Sequence, residues 1–271
     1  MAGQSGLKKK FPKDDTVSRN LGVLPWPSYA KTHRGNVRKV NEDSLLCAPE
    51  LGLWGVADGM GGHEAGDVAS QMVVECLAQL NWREGQAITE KIDLIEDRLL
   101  AANDRMCALS KQHHQGKTMG TTVVLLLVEG SVGCCLWAGD SRLYRIRDGA
   151  LQQVSEDHSQ VAELLLRGQI TEQQAINHPN RNVITRAIGA SERLSLDVMV
   201  FEVLPKDTFL LCSDGLSNEL SAEQILTHLK QDSLQLSVEQ MVARCLDGGA
   251  RDNLSVVVVQ APGEHADGLA G

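Results

Sequence analysis

Leu53-Trp54-Gly55-Val56-Ala57-Asp58-Gly59-Met60-Gly61-Gly62-His63 is an apolar run of strand length that ends in an aspartate and a glycine-rich turn. Such a run reads as a buried strand, and an anion at its lip is costly unless a cation meets it. The pattern recurs in Cys134-Cys135-Leu136-Trp137-Ala138-Gly139-Asp140-Ser141 and in Phe209-Leu210-Leu211-Cys212-Ser213-Asp214-Gly215, and Asp252-Asn253 stands just before the run Leu254 to Val259. Repetition so far apart in the chain points to carboxylates that converge on bound metal ions. The glycines from Gly59 to Gly62 disfavour stability unless the backbone must approach something closely, and a carbonyl there is a candidate ligand. The bland alternative is a tight turn in which Asp58 caps a helix starting near Glu64.

Outward from this stretch, Ala65, Val68, Ala69, Met72, Val73, Cys76, Leu77 and Leu80 recur at helical spacing, as do Ile88, Ile92, Ile95, Leu99, Ala102, Met106 and Leu109. Each helix has one apolar stripe, so a helical hairpin layered on a sheet is expected. Strands follow over Thr121 to Val128, Gly133 to Ala138 and Leu143 to Arg147, with turns at Glu129-Gly130 and Asp148-Gly149. Residues 159–190 change to a short helix and the irregular stretch His178-Pro179-Asn180-Arg181-Asn182, which reads as a flap bordering the site. Strands near Leu196 to Phe201, Thr208 to Cys212 and Leu254 to Gln260 complete the set, and Ser221-x-x-Gln224 and Ser237-x-x-Gln240 read as capping boxes of two further helices. The expected fold is α+β, a four-layer αββα sandwich of two antiparallel sheets flanked by helices. Residues 28–261 form one domain, residues 1–27 a mobile extension and residues 262–271 a disordered tail.

Composition narrows the function. The 271-residue chain carries 26 Lys and Arg against 35 Asp and Glu, a net charge of −9, which disfavours a nucleic-acid or anionic-membrane binder. The longest apolar stretch, Thr121 to Val128, is too short to span a bilayer, and no apolar segment follows Lys8-Lys9-Lys10, so a cytoplasmic protein is expected. Seven cysteines without a C-x-x-C pair, mostly inside apolar segments, read as reduced core thiols. The histidines lack ligand spacing, and oxygen donors suit Mg²⁺ or Mn²⁺ rather than zinc.

Arg38-x-x-Asn41-Glu42-Asp43 adds a fixed cation, whose planar fork matches phosphate oxygens, beside two more carboxylates. This cluster, with Asp58-Gly59-Met60-Gly61-Gly62-His63, Met119-Gly120-Thr121-Thr122, Gly139-Asp140-Ser141-Arg142, Ser213-Asp214-Gly215 and Asp252-Asn253, resembles the ordered motifs of the metal-dependent protein phosphatase family, the type 2C serine/threonine phosphatases. The Gly-Met-Gly-Gly-His form is similar to the bacterial branch. The resemblance implies the same sandwich and assigns Asp58 as the carboxylate bridging two metals, Asp214 and Asp252 to the first site, and Glu42 with the Gly59 carbonyl to the second. It further implies that Arg38 holds the substrate phosphate, that Asp140 and Asp214 hold a weaker third ion, and that Asp43 and Asn253 act from behind the ligands. Two ions about 3.5–4 Å apart acidify a bridging water for in-line attack on phosphorus. Animal members place a histidine two residues after the bridging aspartate, where this chain has Met60, so His63 is a candidate general acid, with a metal-bound water as the alternative.

The expected activity is therefore Mg²⁺- or Mn²⁺-dependent hydrolysis of phosphoserine and phosphothreonine in protein substrates, opposing a bacterial serine/threonine kinase. The chain is expected to act as a monomer without nucleic acid or membrane insertion. Two alternatives stand beside it: an inactive phosphoprotein-binding module of the same fold, and a hydrolase of another phosphate ester. Intact Arg38, Glu42, Asp58, Asp214 and Asp252 weigh against the first, and the acidic balance weighs against a nucleic-acid substrate. Met119-Gly120-Thr121-Thr122 is read as a core strand behind the site, Trp137 as packing, and Arg181 and Arg186 as solvated or structural.

Overall fold

The computed structural model describes residues 16–20, 26–61, 65–113, 119–231 and 233–263. The elements run β1 (Thr16–Asn20), β2 (Ser28–His33), β3 (Asp43–Ala48), β4 (Leu53–Met60), α1 (Ala65–Leu77), α2 (Ile88–His113), β5 (Gly120–Thr121), β6 (Val123–Glu129), β7 (Val132–Ala138), β8 (Arg142–Arg147) and β9 (Ala150–Gln153). They continue through α3 (Gln160–Leu166), α4 (Glu172–Ile176), β10 (Asp197–Glu202), β11 (Thr208–Cys212), α5 (Asp214–Ser217), α6 (Ala222–His228), α7 (Leu234–Gly248) and β12 (Leu254–Gln260). One sheet has the order β1-β2-β12-β11-β8-β9 and the other β10-β7-β6-β4-β3, with β5 paired to β4. Every strand pair is antiparallel.

Alternation along the strands divides the buried residues into three layers. In β12, Val257 and Val259 face the other sheet, whereas Val256 and Val258 pack with Val238, Met241 and Val242 of α7. In β6, Val124 and Leu126 face inward, and Leu125 and Leu127 join Val73 and Leu77 of α1 and Ile95 and Leu99 of α2. A strand buried on both faces has no polar alternation, which is why these segments read as continuous apolar runs. Val256 through Val259 are fully buried. Helix, sheet, sheet and helix thus form the expected four-layer sandwich.

The structure differs from some local expectations. Helix α7 begins at Leu234 with Ser233 as its N-cap, and Ser237 lies within the helix, donating its hydroxyl to the Ser233 carbonyl at 3.1 Å. The Ser221 box is present as expected, and Thr171-x-x-Gln174 forms another at the start of α4. Strand β1, assigned from the sequence to the extension, pairs with β2 from Thr16↔His33 to Asn20↔Tyr29. The other residues of the extension up to residue 25, and the tail from residue 264, lie outside the described residues.

The connection that matters most for the site follows β7. Ala138 pairs with Val123 in one sheet, and Arg142 pairs with Cys212 in the other. The intervening Gly139-Asp140-Ser141 therefore crosses from sheet to sheet at the end of the sandwich where β3 begins, β4 ends and β11 runs into α5. Aspartates far apart in sequence reach one place because strand ends of both sheets meet there.

Candidate metal centre

Asp43 and Asp58 stand directly opposite each other on β3 and β4, a like-charged cross-strand pair that disfavours the sheet. Asp214 enters from the first turn of α5, where its carboxyl is hydrogen-bonded to Asp58 and receives the Asn218 amide at 3.1 Å. Asp252 arrives from the segment before β12 and accepts Arg38 Nη2 at 2.6 Å. Glu42 precedes β3 and is held by the Gly66 backbone amide near the start of α1, where the helix dipole favours an anion. Asp140 comes from the crossing loop. Asp43 and Asp140 are buried, whereas Glu42, Asp58, Asp214 and Asp252 remain partly open to solvent.

Buried hydroxyls and one amide hold this arrangement. Ser213 donates to Asp43 Oδ2 at 2.8 Å. Thr122 Oγ1 accepts the Asp58 amide at 3.1 Å and pairs with Ser141 Oγ at 2.8 Å, while Thr121 Oγ1 donates to the Asp58 carbonyl at 2.9 Å. Asn253 Oδ1 accepts the Glu42 amide at 2.9 Å, and its Nδ2 donates to the Arg34 and Val40 carbonyls at 2.8 and 3.0 Å. Asn253 thus fixes both ends of the Arg38 loop.

The crowding is visible in the proton affinities. Burial, reinforced by the Asp214 and Asp252 charges, pushes Asp43 up to about 7, and burial with Asp214 and Asp157 does the same to Asp140. Burial and the neighbouring aspartates raise Asp58 well above the ordinary range; burial also raises Asp214 and Glu42, the latter against the opposing pull of Arg38. These folded-state values lie above the unfolded 3.8, so between about pH 4 and 7 the folded chain binds protons that the unfolded chain has released. Metal-free stability must fall as pH rises through that window. Thermal denaturation in EDTA is expected to give a higher Tm near pH 5.5 than near pH 8, with saturating Mn²⁺ removing most of the difference. A metal-free Tm that climbs across this interval contradicts like-charge crowding.

The donor chemistry fits hard divalent cations. Every acidic group here offers oxygen, and Asp43 Oδ1 and Asp140 Oδ1 are buried without a hydrogen-bond partner. As the chain stands, no three of the described His, Cys, Asp and Glu side chains close into a finished cage. The carboxylates instead sense one another's charge, and Arg38 leans onto Asp252. An ion would supply the positive charge that the cluster lacks.

Glu42, Asp43, Asp58, Asp140, Asp214 and Asp252 are all brought to one end of the sandwich, with Arg38 and Gly59 beside them. His63 lies outside the described residues. Trp137 packs between the sheets and donates Nε1–H to the Glu156 carbonyl at 2.7 Å. Arg186 pairs with Asp197 and Arg181 donates to the Ile176 carbonyl, so both serve the flap. None of the seven cysteines is in a disulfide, and no described helix is long and apolar enough to cross a membrane. Thr121, Thr122, Ser141 and Ser213 stand within the motifs quoted above, but their hydroxyl bonds to the site were not anticipated, because hydroxyl residues beside strands carry no distinctive spacing. Their adjacency to the singled-out aspartates was the available signal.

Residues 32–255 match the family model described as Protein phosphatase 2C. The serine/threonine phosphatase stp of Listeria monocytogenes serotype 4b is 35% identical over 239 residues, covering 85% of this chain and 94% of that protein. The solved structure of PppA from Pseudomonas aeruginosa, described as a key regulatory component of T6SS, superposes with a TM-score of 0.79 at 41% identity, over 87% of this chain and 97% of that one. The catalytic domain of the serine/threonine phosphatase PstP, solved with 2 manganese ions, gives a TM-score of 0.78 at 34% identity, over 88% of this chain and 98% of that one.

Proposed function

The chain belongs to the protein phosphatase 2C family, and from that premise we propose how its residues divide the hydrolysis of phosphoserine and phosphothreonine. It is a metal-dependent serine/threonine protein phosphatase. The observation that carries the assignment of roles is the convergence of Asp58, Asp214, Asp252 and Glu42, from both sheets, at one end of the sandwich beside Arg38. Asp58 stands at the centre and would be shared by two ions; Asp214 and Asp252 would help hold one, and Glu42 with the Gly59 carbonyl the other. Asp140 and Asp214 would hold a weaker third ion, and Asp43 would act from behind the ligands. Mg²⁺ or Mn²⁺, when bound, supplies an acidified water for in-line displacement at phosphorus and positive charge for the phosphoryl oxygens.

Arg38 is half exposed beside these carboxylates, and its guanidinium is the group that clamps the substrate's phosphoryl oxygens. Its ion pair with Asp252 keeps it beside the carboxylates it must work with. Asn253 and the Asp43–Ser213 contact fix the backbone from which Arg38 and Glu42 project. Preorganised charge of this kind needs no rearrangement when the transition state forms. His63 donates a proton to the leaving serine or threonine oxygen. His63→Ala is accordingly expected to slow a phosphoserine peptide more than an activated aryl phosphate, whose leaving group needs no proton; equal losses on both would remove the role.

The decisive assay compares a phosphothreonine peptide, a phosphotyrosine peptide and a nucleotide, each with Mn²⁺ and with EDTA. Mn²⁺-dependent turnover of the phosphothreonine peptide in clear preference to the other two is expected. Binding of that peptide without turnover would favour the inactive module instead. The substrates are the phosphoproteins of a serine/threonine kinase, met by a cytoplasmic monomer of net charge −9. Phosphoproteins accumulating in a strain that lacks the gene, and light scattering on the purified chain, test those two statements.

A further inference from the structure

We propose that His158 is a positioning residue for Asp140, the clasp that ties the crossing loop to the flap; the ion-binding consequence rests on the role given to Asp140 above. His158 is 6% exposed, and its ring stacks on Trp137 with centroids 5.9 Å apart and planes inclined by 15°. The Gly139 amide donates to Nδ1 at 3.2 Å, and the His158 amide donates to the Gly139 carbonyl at 2.9 Å. Both backbone groups of the residue before Asp140 are therefore held by one histidine.

Because Nδ1 accepts, the ring proton sits on Nε2. Nε2 donates to Asp197 Oδ2 at 3.2 Å, at the first residue of β10, and Asp197 Oδ1 accepts Arg186 Nη1 from the flap at 2.6 Å. The Thr185 amide donates to the His158 carbonyl at 2.8 Å, and Ser159 bridges Ile184. One ring thus reaches the loop through one nitrogen and the end of the flap through the other.

Asp140 is braced on its other side by Ser141, whose hydroxyl meets Thr122, the residue that also accepts the Asp58 amide. Gly139 has φ +120, a conformation that side chains rarely adopt, and a Cβ there would meet Thr122. The loop is consequently narrow in its choices, and the His158 clasp selects the one that turns Asp140 Oδ1 into the interior without a protein partner. Residues that orient a ligand from behind typically change metal affinity about 10–100-fold when lost.

The test compares wild type, His158→Ala, His158→Asn and Asp140→Asn in the intact protein. Asparagine carries its amide oxygen near the Nδ1 position and can accept the Gly139 amide, but it cannot reach Asp197. Amide hydrogen exchange at Gly139, measured by NMR with Mg²⁺, reads the clasp directly. Mn²⁺ titration followed by electron paramagnetic resonance reads ion binding. His158→Ala is expected to speed Gly139 exchange and to weaken the weakest Mn²⁺ class about 10-fold or more while sparing the tighter ions, and His158→Asn to restore much of both. Unchanged Gly139 exchange in His158→Ala, no recovery in His158→Asn, or loss of every Mn²⁺ class with a collapsed Tm would overturn the proposal. If Asp140→Asn leaves the Mn²⁺ titration untouched, the role of Asp140 fails, and Gly139 exchange still decides whether His158 positions the loop.

Discussion

Asp58→Asn is expected to lower kcat/KM for a phosphothreonine peptide by on the order of 1000-fold, the scale of losing a central electrostatic group in a preorganised site, and yet to raise the Tm of the metal-free chain near pH 8. The two signs have one cause. Asp58 is flanked by Asp43, Asp214, Asp140 and Asp252, which together with burial raise its proton affinity. Asparagine keeps the shape and removes one of the repelling charges, so the fold gains while the ion-binding centre loses its middle. Substitutions at strained functional sites commonly trade in this direction. Equal loss of activity and of metal-free Tm would mean that Asp58 is needed for the fold instead, through some contact other than its charge.

Gly59→Ala is expected to lose activity by about 100-fold, the consequence of displacing catalytic groups by about 1 Å, together with a marked fall in Tm. A Cβ at this position would collide with the Gly66 carbonyl and would lie 2.6 Å from the Glu42 carbonyl oxygen. Both obstacles are backbone, so neither can swing away as a side-chain tip would. Either the start of α1 lifts from β4 or the segment before β3 moves, and each movement shifts Glu42, whose carboxylate the Gly66 amide holds. Overpacking a tight site costs about 1–3 kcal/mol. Circular dichroism melts and Mn²⁺-dependent kinetics on the same preparation check both halves; wild-type kinetics would show that the close approach of β4 and α1 does not set Glu42.

Much of the sandwich could be read from the chain because its strands are buried on both faces and its long helices keep a single apolar stripe. The helices at Ala65 and Ile88 and the strands ending at Ala138, Cys212 and Gln260 fall where the hydrophobic pattern places them. The partners of those strands are another matter. Nothing in Gly139-Asp140-Ser141 distinguishes a turn within one sheet from a crossing between two, since the choice is made by which faces the flanking strands bury. The N-cap of α7 shifted from Ser237 to Ser233 for a similar reason: several serines offer caps, and packing of Val238, Met241 and Val242 against the sheet selects among them. The carboxylates of the site were legible because an anion beside an apolar strand violates a local rule. Thr122, Ser141, Asn253 and His158 violate none, and only their hydrogen bonds show how they hold those carboxylates in place.

The central role of Asp58 depends on where divalent ions sit. Anomalous diffraction from crystals of the intact chain grown with Mn²⁺ locates them without reference to activity. Two strong peaks are expected at the open end of the sandwich, both contacting the Asp58 carboxylate, one completed by Asp214 and Asp252 and the other by Glu42 and the Gly59 carbonyl. Peaks elsewhere, or an Asp58 carboxylate that touches neither ion, would contradict it.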